Sequence, residues 1–151
     1  MQALLIYIIM LTYSSNSFET IRHENIDIDK FEKYILIIID GPSCHDCLIK
    51  LENTIVSNSK IKTILVFKTD GNIITRKSLI ETYKKYIIPD IWLFYNDDSL
   101  FSEFETHNSP NVILKIENKK YNYHYNELFT KNLEESTFNM FYNLYKENCD
   151  V

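Results

Sequence analysis

The sequence lacks several features that would mark a special class of protein. It has no internal repeat, no low-complexity linker and only two glycines among 151 residues. A chain of this length without a linker has room for one domain. With 45% hydrophobic, 14% aromatic and 25% charged residues, that domain can bury a substantial core.

Clusters of basic residues are missing as well. The formal net charge is −5, and the basic residues form only short doublets such as Lys84-Lys85 and Lys119-Lys120. A protein that binds nucleic acid needs a basic stripe to neutralise phosphates. The charge pattern therefore argues against nucleic acid as a partner, and the doublets are interpreted as solvated faces.

The first 17 residues differ from the rest of the chain. Residues 3–11 are apolar and uncharged, and residues 12–17 are polar and small, with Ser15 and Ser17 placed as a signal peptidase requires. The apolar stretch is too short to span a bilayer comfortably. We therefore predict a signal peptide at 1–17, a mature domain at 18–151, and export to the periplasm, the cell envelope or the medium. A buried first strand or helix is the alternative, because Met1-Gln2 brings no positive charge.

Strands and helices are predicted to alternate along the mature chain. Continuous apolar runs predict buried strands at 34–39, 61–67 and 91–95, and residues 112–116 and 121–125 are predicted to form a hairpin across 117–120. Helical spacing predicts a helix from Cys44 through Ile55, another at 75–86, and a last one around Phe138, Phe141, Tyr142 and Tyr145. The predicted fold is α/β, with helices flanking one central mixed sheet.

Two of the three cysteines lie where the first strand gives way to a helix, in "ILIIIDGPSCHDCLIK". Cys44 and Cys47 are separated by His45 and Asp46, and Ser43 can cap the helix with Asp46 completing a capping-box-like pair. Three interpretations compete: a redox pair, half of a metal site, or two inert buried thiols. A structural zinc site needs four ligands, and no second cysteine pair is present.

The position of the pair favours redox chemistry. The first turn of a helix has unpaired N–H groups and a positive dipole end, which stabilise the thiolate that attacks a disulfide. A two-residue spacer on a helical turn also brings two sulfurs within reach of a bond. Cys44 is the predicted attacking thiol, and Cys47 is predicted to resolve the mixed disulfide.

This segment resembles the active site of the thioredoxin-like superfamily. A second resemblance lies at Ser109-Pro110 and the apolar stretch 111–116 that follows, which is similar to the cis-proline loop and the next strand of that family. The resemblance spans residues 31–146. It implies that the bond before Pro110 is cis, that this loop faces the cysteines, and that Ser109 and Pro110 bind the substrate chain. With the predicted signal peptide, the nearest relatives would be exported oxidoreductases of the TlpA/ResA type.

The segment also departs from the family pattern. Ser43 stands where the family often has Trp, and Ile38 stands where thioredoxin has a buried acid. In the spacer, a protonated His45 would favour the Cys44 thiolate, whereas the negative charge of Asp46 would oppose it. The direction of electron flow is therefore left open.

The prediction from sequence is an exported thiol–disulfide oxidoreductase that needs no cofactor, because the dithiol stores the two electrons. Its partners would be protein dithiols or disulfides, with a membrane protein as one candidate electron donor. A non-catalytic thioredoxin-like binding module with a structural disulfide is the main alternative. A copper-binding envelope protein, using His107 with the two cysteines, is a weaker one. Cys149 is interpreted as a thiol in the C-terminal tail.

Overall fold

A computed structural model describes residues 18–39, 44–57, 59–69, 71–95 and 109–129, together with residues 143, 144, 146 and 147. Within these residues one sheet of seven strands has the order β2-β1-β5-β4-β3-β6-β7. The strands are β1 (Phe18–Glu19), β2 (Asn25–Ile26), β3 (Lys33–Ile39), β4 (Lys62–Lys68), β5 (Ile91–Tyr95), β6 (Asn111–Ile116) and β7 (Lys119–His124).

The middle of the sheet is mixed, as the sequence predicted. Strand β3 runs parallel to β4, and β4 runs parallel to β5. On its other side β3 pairs antiparallel with β6, which forms a hairpin with β7. Six of the seven residues of β3 are buried, because the strand lies in the middle of the sheet and is covered on both faces.

Within the described residues, three α-helices of continuous bounds lie between and after these strands. Helix α1 (His45–Leu51) follows β3 and continues into a wider turn, Glu52–Val56, where the Ser57 N–H donates to the Glu52 carbonyl. Helix α2 (Ile73–Tyr83) joins β4 to β5, and the short α3 (Tyr125–Phe129) follows β7. No helix within the described residues is long and apolar enough to cross a membrane.

Alternate side chains of β3 belong to two different cores. Ile35, Ile37 and Ile39 pack with Leu48 and Leu51 of α1 in a cluster that also takes in parts of α2 and α3. Successive right-handed crossovers from β3 to β4 and from β4 to β5 place α1 and α2 on the same face of the sheet. The residues between them in β3 face the other way and pack against the N-terminal segment, in a cluster with Phe18 and Ile28.

Two buried cations hold the N-terminal segment onto this framework. Arg76 of α2 is 1% exposed, and its guanidinium donates to the carbonyl of Thr20 at 2.8 Å and to the carboxylate of Glu19 at 2.7 Å. Lys115 of β6 is 7% exposed and donates to the main-chain carbonyls of Asp29 and Phe31. Neither contact was predicted from the sequence, because each joins residues far apart in the chain.

The structure corrects three local predictions. The N-cap of α1 is Cys44 rather than Ser43, since its sulfur accepts the Cys47 N–H. The β6–β7 turn contains only Glu117 and Asn118, because Lys119 and Lys120 pair with β6 and belong to β7. Tyr125 was predicted as the end of that strand but begins α3.

Several sequence predictions fall outside the described residues. They are the signal peptide at 1–17, the candidate copper ligand His107, the tail cysteine Cys149, and the named residues of the last helix. Next to those residues, 143, 144, 146 and 147 have helical backbone, and Leu144 packs against the core shared by α1 and α3.

Candidate functional site

Cys44 and Cys47 form a disulfide at the start of α1, on the edge of the sheet where β3 ends. The S–S distance is 2.11 Å and the two Cα atoms are 5.2 Å apart. The prediction that the pair lies within disulfide range, at the N-terminus of a helix after a central strand, is confirmed.

The two sulfurs differ in exposure. Cys44 is partly exposed, whereas Cys47 is only 6% exposed and packs into the protein. The Cys47 N–H donates to Cys44 Sγ at 3.2 Å, so the cap of the helix is itself one of the paired sulfurs. This hydrogen bond points a main-chain donor at Cys44 Sγ, and a donor in that position favours a charged sulfur over a neutral one.

Pro110 lies on the same edge of the sheet. Its neighbour Asn111 pairs with Ile38, so the segment 109–110 reaches the end of β3, from which the chain continues toward Cys44. Pro110 is buried, Ser109 is half-buried, and the Pro110 carbonyl accepts the Tyr125 N–H at 3.0 Å. Residues 109–110 and the cysteines thus lie toward the same edge, and the packing of Pro110 against the cysteines stays a prediction.

The prediction of a cis peptide bond before Pro110 is wrong. No peptide bond among the described residues is cis, so the Ser109–Pro110 bond is trans. The trans form is the ordinary preference of an X-Pro bond, by about 0.5–1 kcal/mol. A sequence motif alone does not overcome that preference unless the surrounding residues select the cis form.

The exposed His45 in the spacer is held by aromatic rings from α2 and the turn after it. Its ring stacks on Tyr86, with ring centroids 4.2 Å apart and an interplanar angle of 15°. Tyr83 meets the same imidazole edge-on at 6.0 Å. Both tyrosines lie within the predicted helix 75–86, but nothing in the sequence indicated that they would reach the cysteine spacer.

The other spacer residue, Asp46, lies on the side of the site nearer α3. Burial, and after it the negative charge of Asp46, raises the pKa of the Tyr125 phenol above its ordinary value. Helix α3 also contacts α1 through Lys50, whose Nζ lies 4.5 Å from the centre of the Phe129 ring. His45 thus stacks on a tyrosine ring, whereas Asp46 acts on the Tyr125 phenol through its charge.

Glu52 lies at the start of the wider turn that follows α1. Its carboxylate accepts the Ile88 N–H at 2.8 Å and so ties the end of α1 to the segment after α2. Within the described ranges, no three His, Cys, Asp or Glu side chains come together as a set of metal ligands.

Comparison with known proteins gives a fold but no family by sequence. No known family profile and no curated protein sequence matches this chain. Solved structures do resemble it. One is a secreted Mycobacterium tuberculosis disulfide oxidoreductase homologous to E. coli DsbE, with a TM-score of 0.53 and 10% identity over 83% of this chain and 91% of that chain.

A second similar structure is a Bacteroides vulgatus protein that has been proposed to be a thiol–disulfide oxidoreductase. Its TM-score is 0.52 and its identity 15%, over 85% of this chain and 84% of that chain. At such low identity the similarity establishes the fold alone. The protein has a thioredoxin-like α/β fold that carries a Cys-x-x-Cys disulfide at the start of the helix after a central strand.

Proposed function

We propose that this protein is a thiol–disulfide oxidoreductase that exchanges disulfides with protein partners through Cys44 and Cys47. The observation that carries the proposal is the partly exposed Cys44, disulfide-bonded to the buried Cys47 at the start of α1. Similar solved structures described as oxidoreductases support it.

The exchange has two steps. The Cys44 thiolate attacks a partner disulfide, forming a mixed disulfide and releasing one partner thiolate, which takes up a proton. The Cys47 thiolate then attacks Cys44 Sγ, forming the Cys44–Cys47 disulfide and releasing the second partner thiol. Two electrons pass from the protein to the partner, and the reverse sequence oxidises a partner dithiol.

The difference in exposure supports this division of roles. A partner disulfide can reach Cys44, whereas Cys47 at 6% exposure can be reached only from within the protein. The Cys47 N–H beside Cys44 Sγ favours the charged form of the attacking sulfur over the neutral one. Ser109 and Pro110, at the same edge, are proposed to lie along the bound partner chain.

A binding module with a structural disulfide is the second candidate. The observation that favours it is that Cys44 caps α1, which is a structural role independent of exchange. In that case either cysteine substitution would weaken the fold to a similar degree, and neither would trap a partner.

Trapping a mixed disulfide distinguishes the two candidates. The experiment uses a Cys149→Ser background, because this substitution removes the third thiol and with it any adducts at that position. The probe is a disulfide-bonded peptide of known mass. With Cys47→Ser we expect a stable mixed disulfide at Cys44, seen by intact-mass spectrometry. With Cys44→Ser we expect none, because the remaining thiol is buried. No adduct with either variant, together with equal losses of stability, would instead establish the binding module.

Export is proposed as well, on the basis of the predicted signal peptide. The same intact-mass measurement, made on protein from the native host, determines the N-terminus. We expect the mature chain to begin near Phe18. A chain that retains Met1 in a cytoplasmic fraction would contradict export and the oxidising compartment that goes with it.

A further inference from the structure

Tyr86 contacts the cysteine spacer although it lies 39 residues after Cys47 in the chain. It belongs to the turn after α2, and its ring stacks on the imidazole of His45 at 4.2 Å. His45 is the first residue of α1 and the direct neighbour of Cys44. The contact therefore joins the turn after α2 to the first turn of the helix that carries both cysteines.

The segment that carries Tyr86 is firmly held. Its N–H and that of Ile87 both donate to the Tyr83 carbonyl, at 2.9 and 3.2 Å. Ile87 is completely buried, and the next N–H donates to the Glu52 carboxylate at 2.8 Å. A ring on such a segment can fix the position of the side chain that stacks on it.

The restraint on the first turn of α1 depends on the redox state. In the oxidised protein the S–S bond holds residues 44 and 47 together. Reduction removes that bond, and among the contacts seen in the disulfide form, those left to restrain the turn are the hydrogen bond from the Cys47 N–H to Cys44 Sγ and the stack of His45 on Tyr86. The stack on Tyr86 should therefore stabilise the dithiol form more than the disulfide form.

We propose that Tyr86 is a positioning residue for the Cys44–Cys47 pair: by stacking on His45 it holds the first turn of α1 in the reduced protein and so raises the reduction potential of the pair. The functional importance of this effect on the reduction potential rests on the proposed function. The potential, however, belongs to the cysteine pair and can be measured whether or not a partner protein is exchanged.

The test is a double-mutant cycle in the Cys149→Ser background, comparing the parent, Tyr86→Leu, His45→Ala and the double variant. Each is equilibrated with mixtures of reduced and oxidised glutathione. The balanced reaction is disulfide plus two glutathione thiols giving dithiol plus glutathione disulfide. After acid quenching and alkylation, mass spectrometry gives the oxidised fraction and hence the equilibrium constant.

We expect Tyr86→Leu to favour the disulfide by about threefold in this constant, or about 14 mV, as expected for the loss of one aromatic contact. In the His45→Ala background the same substitution should have no further effect, because its partner ring is already absent. Tyr86→Phe keeps the ring and should keep the parent potential. If Tyr86→Leu does not fold, Tyr86→Met removes the flat ring while retaining apolar cover.

A matched control is Phe31→Leu, which removes a half-buried ring just before the start of β3, at the opposite edge of the sheet. It should leave the potential unchanged. Three results would overturn the inference: an unchanged potential in Tyr86→Leu, an equal shift in the His45→Ala background, or an equal shift in Phe31→Leu. Because none of them depends on partner trapping, failure of this inference and failure of the proposed function are told apart.

Discussion

At the edge of the sheet where β3 ends, the two side chains between the cysteines are exposed; at the edge where β3 begins, a charged side chain is buried and paired. His45 and Asp46 are exposed beside the disulfide. Near the start of β3, Lys115 is 7% exposed and its Nζ donates to the carbonyls of Asp29 and Phe31 at 2.9 and 2.8 Å.

The difference follows from the cost of burying charge. An ammonium group removed from water needs hydrogen-bond acceptors, so the donors of Lys115 are committed to the fold. A polar cleft of about 360 Å³ lies beside Lys115, far along β3 from the cysteines. The cleft and the buried cation therefore mark a structural contact at the edge where β3 begins, away from the disulfide.

The largest loss of stability should come from removing the buried contact of Lys115. Lys115→Met leaves two main-chain carbonyls without their donor, and we expect it to lower the free energy of unfolding by about 3 kcal/mol. Urea unfolding measures the change. The glutathione equilibrium of Cys44–Cys47 should stay as in the parent, because Lys115 lies at the opposite edge of the sheet.

Lys120→Met is the matched control for that prediction. Lys120 pairs with the carboxylate of Asp29, whose main-chain carbonyl Lys115 binds, at 2.9 Å but is 52% exposed, so its loss should cost less than about 1 kcal/mol. Equal losses of unfolding free energy in Lys115→Met and Lys120→Met would mean that burial does not distinguish Lys115, and would contradict the comparison between the two edges.

A smaller loss of stability is expected from breaking the ion pair of Arg76, a buried cation that lies nearer the disulfide. The hydrogen bond from Arg76, more than its charge alone, holds the pKa of Glu19 below the ordinary value, against the opposing effect of burial. Glu19→Gln should cost about 1 kcal/mol at neutral pH. Since the folded pKa is lowered, this contribution is present above the ordinary Glu range and is lost as pH falls through the folded pKa.

Urea unfolding of the parent and Glu19→Gln across that acidic range checks the sign. The difference between them should close as the pH is lowered. Glu117→Gln, an exposed acid at the β6–β7 turn, provides a control with little effect at any pH. If the difference in unfolding free energy instead grows as the pH falls, Glu19 does not stabilise the N-terminal segment through its charged form.

The smallest effect should be seen in Asp46→Asn. Removing the negative charge beside Cys44 should favour the dithiol by about twofold in the glutathione equilibrium, with no resolvable change in unfolding. The same change should lower the pKa of Tyr125, which a phenolate absorbance titration can follow. A loss of stability without a shift in potential would assign Asp46 a structural role and blur the distinction between the two edges.

The central strands could be predicted closely because continuous apolar runs have one stable place in a sheet. The predicted strand 91–95 matches β5, and the predictions for β3 and β4 differ from the observed bounds by one residue at each shifted end. The two-residue strands β1 and β2 were missed because they are too short to show a pattern. Strand β1 joins β5 only where Glu19 lies opposite Phe94, a pairing between distant segments of the chain.

Only the local features of the candidate site could be predicted, for a similar reason. The spacing of Cys44 and Cys47 after a buried strand is local, so their disulfide geometry could be anticipated. The cap formed by Cys44 itself depends on where its sulfur is placed, and the stack of Tyr86 on His45 depends on the crossing of α2 over α1. Contacts between distant segments leave no periodic signal in the chain.

The sequence by itself determined the alternating α/β order, the buried strand β3 and the position of a cysteine pair at the start of a helix, because these depend on neighbouring residues and their periodicity. Only the tertiary structure decided that Lys115 and Arg76 are buried, that the Ser109–Pro110 bond is trans, and that Tyr86 reaches the spacer. Each of these depends on which distant segments pack together, and the free energy of that packing is a property of the whole fold.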